Sequence, residues 1–168
     1  MSKAILQNFI ILVVLLLAQV LICNHILLFN VATLFIFIYV IIHLPISLGT
    51  GWLLTWAFLS GLTVDVFSDT LGVNALACTI LAILKRPVFF AYIPKDDRTK
   101  EINPSISELG ISIYAKYLLT MVVAYCVLVF AIEYMSITDI KEIALMSLSS
   151  AVFTFLILLG LDSLIGNK

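Results

Sequence analysis

Apolar residues come along this chain in long unbroken runs separated by short polar breaks. The first run extends from Ala4 to Cys23 without a charge. Asn24, His25 and Asn30 interrupt it, and a second run covers about Val31 to Ile46, with Pro45 near its end. The third goes from about Leu48 to Phe67, and the fourth from about Thr70 to Lys85-Arg86-Pro87. The fifth runs from about Gly110 to Ala131, and the sixth from about Ile143 to Ile165. A helix needs roughly 20 apolar residues, about 30 Å, to cross a bilayer. The runs are continuous, not alternating, which favours helices over barrel strands. The pattern predicts an all-α polytopic membrane protein, one domain over residues 1–168, with about six transmembrane helices. Five spans plus a re-entrant segment is the other reading, because the second and fourth runs are short.

Composition supports a lipid solvent. Apolar residues make up 63% of the 168, and the mean hydropathy is +1.22. Soluble domains hold about 45–50% apolar residues, and a soluble chain of this length has too much surface to hide more. No small-x-small cleavage site follows the first run, so it reads as a retained anchor. Val20-Leu21-Ile22 before Cys23 lacks the small residues of a lipoprotein cleavage site.

Charge sets the expected orientation, although the net charge of −1 says little. Five of the nine basic residues, Lys85, Arg86, Lys95, Arg98 and Lys100, fall in one polar loop of about 85–109. Basic loops stay in the cytoplasm. With six spans this loop shares a side with Lys3 and Lys168, so both termini are expected there. Asp69, Glu133, Asp139 and Lys141 fall on the other side. Trp52, Trp56, Tyr92, Tyr114 and Tyr117 are expected near the inner interface, and Tyr134 near the outer one. Pro87 should stop or kink the fourth helix. Val88 to Ile93 then reads as lying in the headgroup region. Pro94 to Glu101 reads as a solvated turn, and Ser105 with Glu108 as a helix entry. The loop is either a topological anchor or a docking surface for a cytoplasmic partner or anionic lipid.

Catalytic, metal and cofactor signatures are not expected. Cys23, Cys78 and Cys126 each stand alone in an apolar run, which suits packing. His25 and His43 sit at span ends and read as interfacial polar residues. There is no phosphate loop or dinucleotide fingerprint. No basic face supports a nucleic-acid role. An intramembrane protease would need two embedded acids or a zinc motif; Asp65 and Asp162 are the candidates, in unlike contexts.

Asp65 stands out. At 1.5 Å per residue it lies about 25 Å along the third helix, roughly one turn from the outer surface. A charge inside the bilayer costs up to about 2.5–3.5 kcal/mol on insertion scales, so one placed inside it or at its edge usually has a partner or a role. One reading is a carboxylate accepting hydrogen bonds from the start of the fourth helix, with Ser68 or Asp69 capping that helix. The other is a partner or ligand site at this hinge. Gly61 precedes Asp65 by one turn, and Gly72 with Ala75 opens the next helix, so two backbones can approach closely.

Gly-Leu-Thr-Val-Asp at 61–65, Leu-Gly-Val-Asn-Ala-Leu-Ala at 71–77 and Leu84-Lys85-Arg86-Pro87 resemble the rod shape-determining protein MreD family, in its Bacteroidetes-like form. Asn74 stands where many members carry His, and Leu71 where some carry Pro. The resemblance implies a non-enzymatic component of the wall-elongation machinery in the bacterial cytoplasmic membrane. It implies pairing with an MreC-like single-span protein, alongside an MreB-like filament, a RodA-like glycosyltransferase and an elongation transpeptidase. It also implies a fold similar to the substrate-binding subunits of energy-coupling-factor vitamin transporters, which makes such a subunit the alternative function. By the same resemblance Gly61, Asp65 and Gly72 are the marked positions, with structural or partner-binding roles; Asp69 and Asn74 belong to the same hairpin.

Overall fold

The computed structural model describes residues 13–20, 33–93, 104–133 and 140–165. Within these the regular structure is helical. Helix α1 is described over 13–20, followed by α2 (Ile38–His43), α3 (Thr50–Ser68), α4 (Val73–Tyr92), α5 (Ile106–Glu133) and α6 (Ile140–Ile165). Four stretches are long and apolar enough to cross a membrane: α3, α4, α5 and Ile143–Ser163 of α6. The chain is an all-α polytopic membrane protein. Helices α3 to α6 pack as successive neighbours. They alternate in direction: the entry of α4 meets late α5 at Asn74 and Tyr125, and the entry of α5 meets the end of α6 at Ile106 and Asp162.

The second apolar run differs from the expected span. Residues 33–36 are not helical, and α2 contributes only six residues before Pro45. Proline pushes the residue before it out of the helical region, and Leu44 has ψ 140°. Phe37 to Ile42 are all buried. The run fills the middle of the bundle instead of facing lipid, and the Phe35 and Phe37 rings meet Tyr125 edge-on at 5.1 and 5.9 Å.

Non-helical backbone inside a membrane protein must find partners within the protein. Here side chains from α1 and α6 supply them. Gln19 brackets the stretch: its Nε2 donates to the Leu34 carbonyl (2.7 Å) and its Oε1 accepts from Ile36 N–H (2.8 Å). Thr33 N–H donates to Ser150 Oγ at 3.0 Å, and Phe35 N–H to Thr154 Oγ1 at 3.3 Å.

Two other expectations change. Helix α4 does not stop at Pro87 but carries it inside and runs on to Tyr92, so Val88 to Tyr92 are helical. Buried Phe89 packs edge-on against Tyr117, ring centres 5.5 Å apart, which anchors the turn beyond the proline. Tyr114 and Tyr117 are not interfacial; both are fully buried in the core. The helix entry at Ser105 lies where expected: α5 starts at the next residue and the Ser105 carbonyl accepts from Leu109 N–H at 3.1 Å, while the Ser105 hydroxyl pairs with Ser107 Oγ at 3.0 Å and the Ile106 N–H is taken by Asp162 (3.1 Å). Gly110, at φ 74° and ψ 153°, then separates the first turn of α5 from the rest.

Candidate functional site

The junction of α3 and α4 gathers most of the marked residues. Helix α3 ends on Asp69, which takes the left-handed conformation (φ 54°) and returns its N–H to the Asp65 carbonyl. Helix α4 begins after Gly72, also left-handed (φ 79°). A glycine at that position has no side chain to cap the free N–H groups that open every helix. The Asp65 carboxylate reaches across and does so. Its Oδ1 accepts from Thr70 Oγ1 (2.5 Å), Asn74 N–H (3.0 Å) and Asn74 Nδ2 (2.9 Å). Its Oδ2 accepts from Ala75 N–H at 2.8 Å. Asp65 is 2% exposed, so these donors, together with the positive end of the α4 dipole, replace its water.

Gly61 makes this reach possible. A Cβ there would lie 2.5 Å from the Asn74 carbonyl oxygen and 2.6 Å from Ala75 Cα, both backbone atoms. The two helices therefore touch main chain to main chain one turn before the carboxylate. Asn74 passes the network on: its Oδ1 accepts from Tyr125 OH at 2.6 Å, tying α5 to the hairpin. The structure thus brings Gly61, Asp65, Gly72 and Asn74 into one fastening. Asp69 is exposed on the turn and does not cap α4; it closes α3, and the cap expected from Ser68 or Asp69 comes from Asp65.

The basic cluster is also placed differently. Lys85 and Arg86 are not loop residues but lie within α4. Lys85 is fully buried, and its Nζ donates to the carbonyls of Ile41 (2.9 Å) and Leu44. These are the free carbonyls at the C-terminal end of α2, where a cation is favoured. Arg86 donates to the carbonyls of Ile46 (3.2 Å) and Leu48 (2.7 Å) and to Thr50 Oγ1 (2.9 Å). Together they hold the connection from α2 to α3 against α4. Lys95, Arg98 and Lys100 lie outside the described residues.

A third cluster joins α2, α5 and α6. His43 is paired, not merely interfacial: its Nε2 lies 2.6 Å from Asp162 Oδ1. Tyr39 OH donates to the same oxygen at 3.1 Å, and Ile106 N–H donates to Oδ2 at 3.1 Å. The His43 ring stacks on Tyr39 with centres 4.0 Å apart, and Tyr114 OH lies 3.3 Å from Nε2. Sequence reading weighed Asp162 only as a doubtful second acid. Its partner is 119 positions away, beyond the reach of any local pattern.

The chemistry of these three clusters is that of fastening. Each charged group takes the complementary ends of another element: Asp65 the N–H groups of α4, Lys85 and Arg86 the carbonyls after α2, Asp162 the N–H of α5. Comparison with protein-family models, with curated proteins and with solved structures finds no match to this chain.

Proposed function

We propose that the chain is a non-catalytic integral membrane scaffold of the bacterial cell-wall elongation machinery, seated in the cytoplasmic membrane with both termini inside. In this role it binds an MreC-like single-span protein and helps maintain cell shape. The resemblance at 61–77 and 84–87 supports the reading, and one observation carries it. The Asp65 oxygens receive four donors, all from the turn and first residues of α4, so the motif that bears the resemblance builds a hairpin. Around that hairpin Val66, Phe67, Leu71 and Leu76 are exposed, and they offer a partner helix an apolar face within the bilayer.

The alternative, a substrate-binding subunit of a vitamin transporter, calls for polar side chains converging on a ligand. Gln19, Lys85 and Asp162 instead bond to the protein's own backbone, which favours the scaffold. The test is purification of the tagged chain from cells that also express an MreC-like single-span coiled-coil protein. A stoichiometric complex, lost when Val66 and Phe67 are both replaced by large polar residues, supports the scaffold. A vitamin retained through purification, or turnover of a substrate by the purified chain, overturns it.

A further inference from the structure

Asp65, Lys85, Arg86 and Asp162 are all spent inside the protein: on the entry of α4, on the carbonyls after α2, and on His43 and the entry of α5. Lys116 breaks this pattern. Between Gly110 and Glu133 it is the charged residue of α5. It is exposed, and among the described residues its ammonium has no partner. Its carbonyl is used, by the Thr120 hydroxyl at 2.9 Å. Charged side chains within spans almost always face the interior and pair there. An ammonium that faces outward unpaired takes its counter-charge from outside the chain.

Depth and direction say where that counter-charge sits. At 1.5 Å per residue the helix from Gly110 to Glu133 is about 35 Å long, a little more than the roughly 30 Å of hydrocarbon in a bilayer. Lys116 lies about 9 Å along it from Gly110, on the shallow side. Helical side chains lean toward the N-terminus of their helix, here the Gly110 end, and a lysine stem carries its head on to the headgroup level. The deeper direction is already occupied. Tyr92, from the end of α4, reaches across to Thr120, one turn further in, with its hydroxyl 2.7 Å from Thr120 Oγ1. Because the Thr120 proton goes to the Lys116 carbonyl, the Tyr92 hydroxyl donates, so these two groups satisfy each other. The ammonium is the group of this face left unmet. Past it the face turns apolar, with Leu119 and Val127 exposed.

We propose that Lys116 is the headgroup site of an anionic phospholipid from the leaflet at the Gly110 end of α5. Its ammonium pairs with the lipid phosphate, and the acyl chains run past Tyr92 along Leu119 and Val127. A carboxylate on a partner helix would also match the charge, but it would have to stand at the headgroup boundary toward which the lysine leans. Phosphate surrounds every span at that level. An anionic lipid is favoured over a zwitterionic one because the latter carries its own cation beside the phosphate. The inference requires only that the chain spans a membrane, and it is independent of the wall-elongation reading.

Photo-crosslinking of the full chain in nanodiscs tests it. Phosphatidylglycerol and phosphatidylcholine carrying the same diazirine-bearing acyl chain are incorporated in separate preparations, and adducts within residues 111–127 are counted by mass spectrometry. About fivefold more adduct is expected with phosphatidylglycerol, the factor one lysine near an anionic surface supplies. Lys116→Gln should bring that yield down to the phosphatidylcholine level, with amide protection at Asn74 and Ala75 showing that the variant is folded. Lys141→Gln, at the far end of the bundle, should leave it unchanged. Equal yields from the two lipids in the unmodified chain overturn the proposal without recourse to any variant. So does a phosphatidylglycerol preference that survives Lys116→Gln. If Lys116→Gln keeps the lipid preference but loses a co-purifying single-span protein, the counter-charge is a partner's acid and the lipid site is refuted.

Discussion

Replacing Asp65 with alanine removes the one acceptor that serves the entry of α4, and the structure sets the size of the effect. Four hydrogen bonds are lost, two of them from backbone N–H groups of Asn74 and Ala75. At about 0.6 kcal/mol each, the average for side-chain hydrogen bonds inside membrane proteins, the four amount to about 2 kcal/mol. The upper bound comes from the orphaned donors. A buried N–H without a partner costs about 1–3 kcal/mol, so two give about 2–6 kcal/mol. Gly72 cannot substitute as a cap, and the close backbone approach at Gly61 leaves no room for water between the helices one turn away. The expected loss is therefore about 2–5 kcal/mol. It is measurable as a shift in the denaturation midpoint of the purified protein in mixed micelles. Asp65→Asn separates charge from shape. Its single remaining oxygen serves one side of the site, while its amide nitrogen opposes an N–H donor, so it should lose nearly as much. A loss under about 0.5 kcal/mol for the alanine variant would show that the α4 entry finds other partners, and the capping argument would fail.

Further outcomes follow from other contacts. Gly61→Ala places a methyl group 2.5 Å from the Asn74 carbonyl oxygen; a loss of about 1–3 kcal/mol is expected by thermal denaturation, as for other overpacked sites. Gln19→Leu leaves the Leu34 carbonyl and the Ile36 N–H without partners, and faster amide exchange at 35–37 is the expected readout, with protection at Asn74 unchanged. Tyr125→Phe removes the donor to Asn74 Oδ1 and should lower stability by about 0.5–1.5 kcal/mol. Asp65→Leu should weaken assembly with a single-span partner through the same hairpin, and an unchanged yield of complex would separate the partner surface from the motif.

The Asp65 hairpin was legible because it is local. Its bonds span five to ten positions, and a lone acid between small residues in an apolar run has few explanations. Lys85 and Arg86 were misplaced for a physical reason. Basic residues before a proline read as the end of a span, and nothing local shows that carbonyls 38 to 44 positions earlier need donors. The non-helical stretch 33–36 was hidden because hydropathy reports burial, not backbone conformation, and Thr-Leu-Phe-Ile suits either. A signal did exist. Gln19 interrupts an uncharged run, and Ser147, Ser150 and Thr154 fall on one buried face of α6. Such polar positions inside spans point to backbone elsewhere that lacks its own partners. The His43–Asp162 pair had no local signal, since two span-end polar residues far apart in sequence look like two separate interfacial groups.

The unwound stretch also dictates an order of events at the ribosome. Thr33 and Phe35 bond to side chains synthesised 117 and 119 residues later. Until α6 is in place, those two amides lack the side-chain acceptors that satisfy them in the folded protein. The second apolar run can therefore settle into the bundle only together with α6, however early its own residues are made.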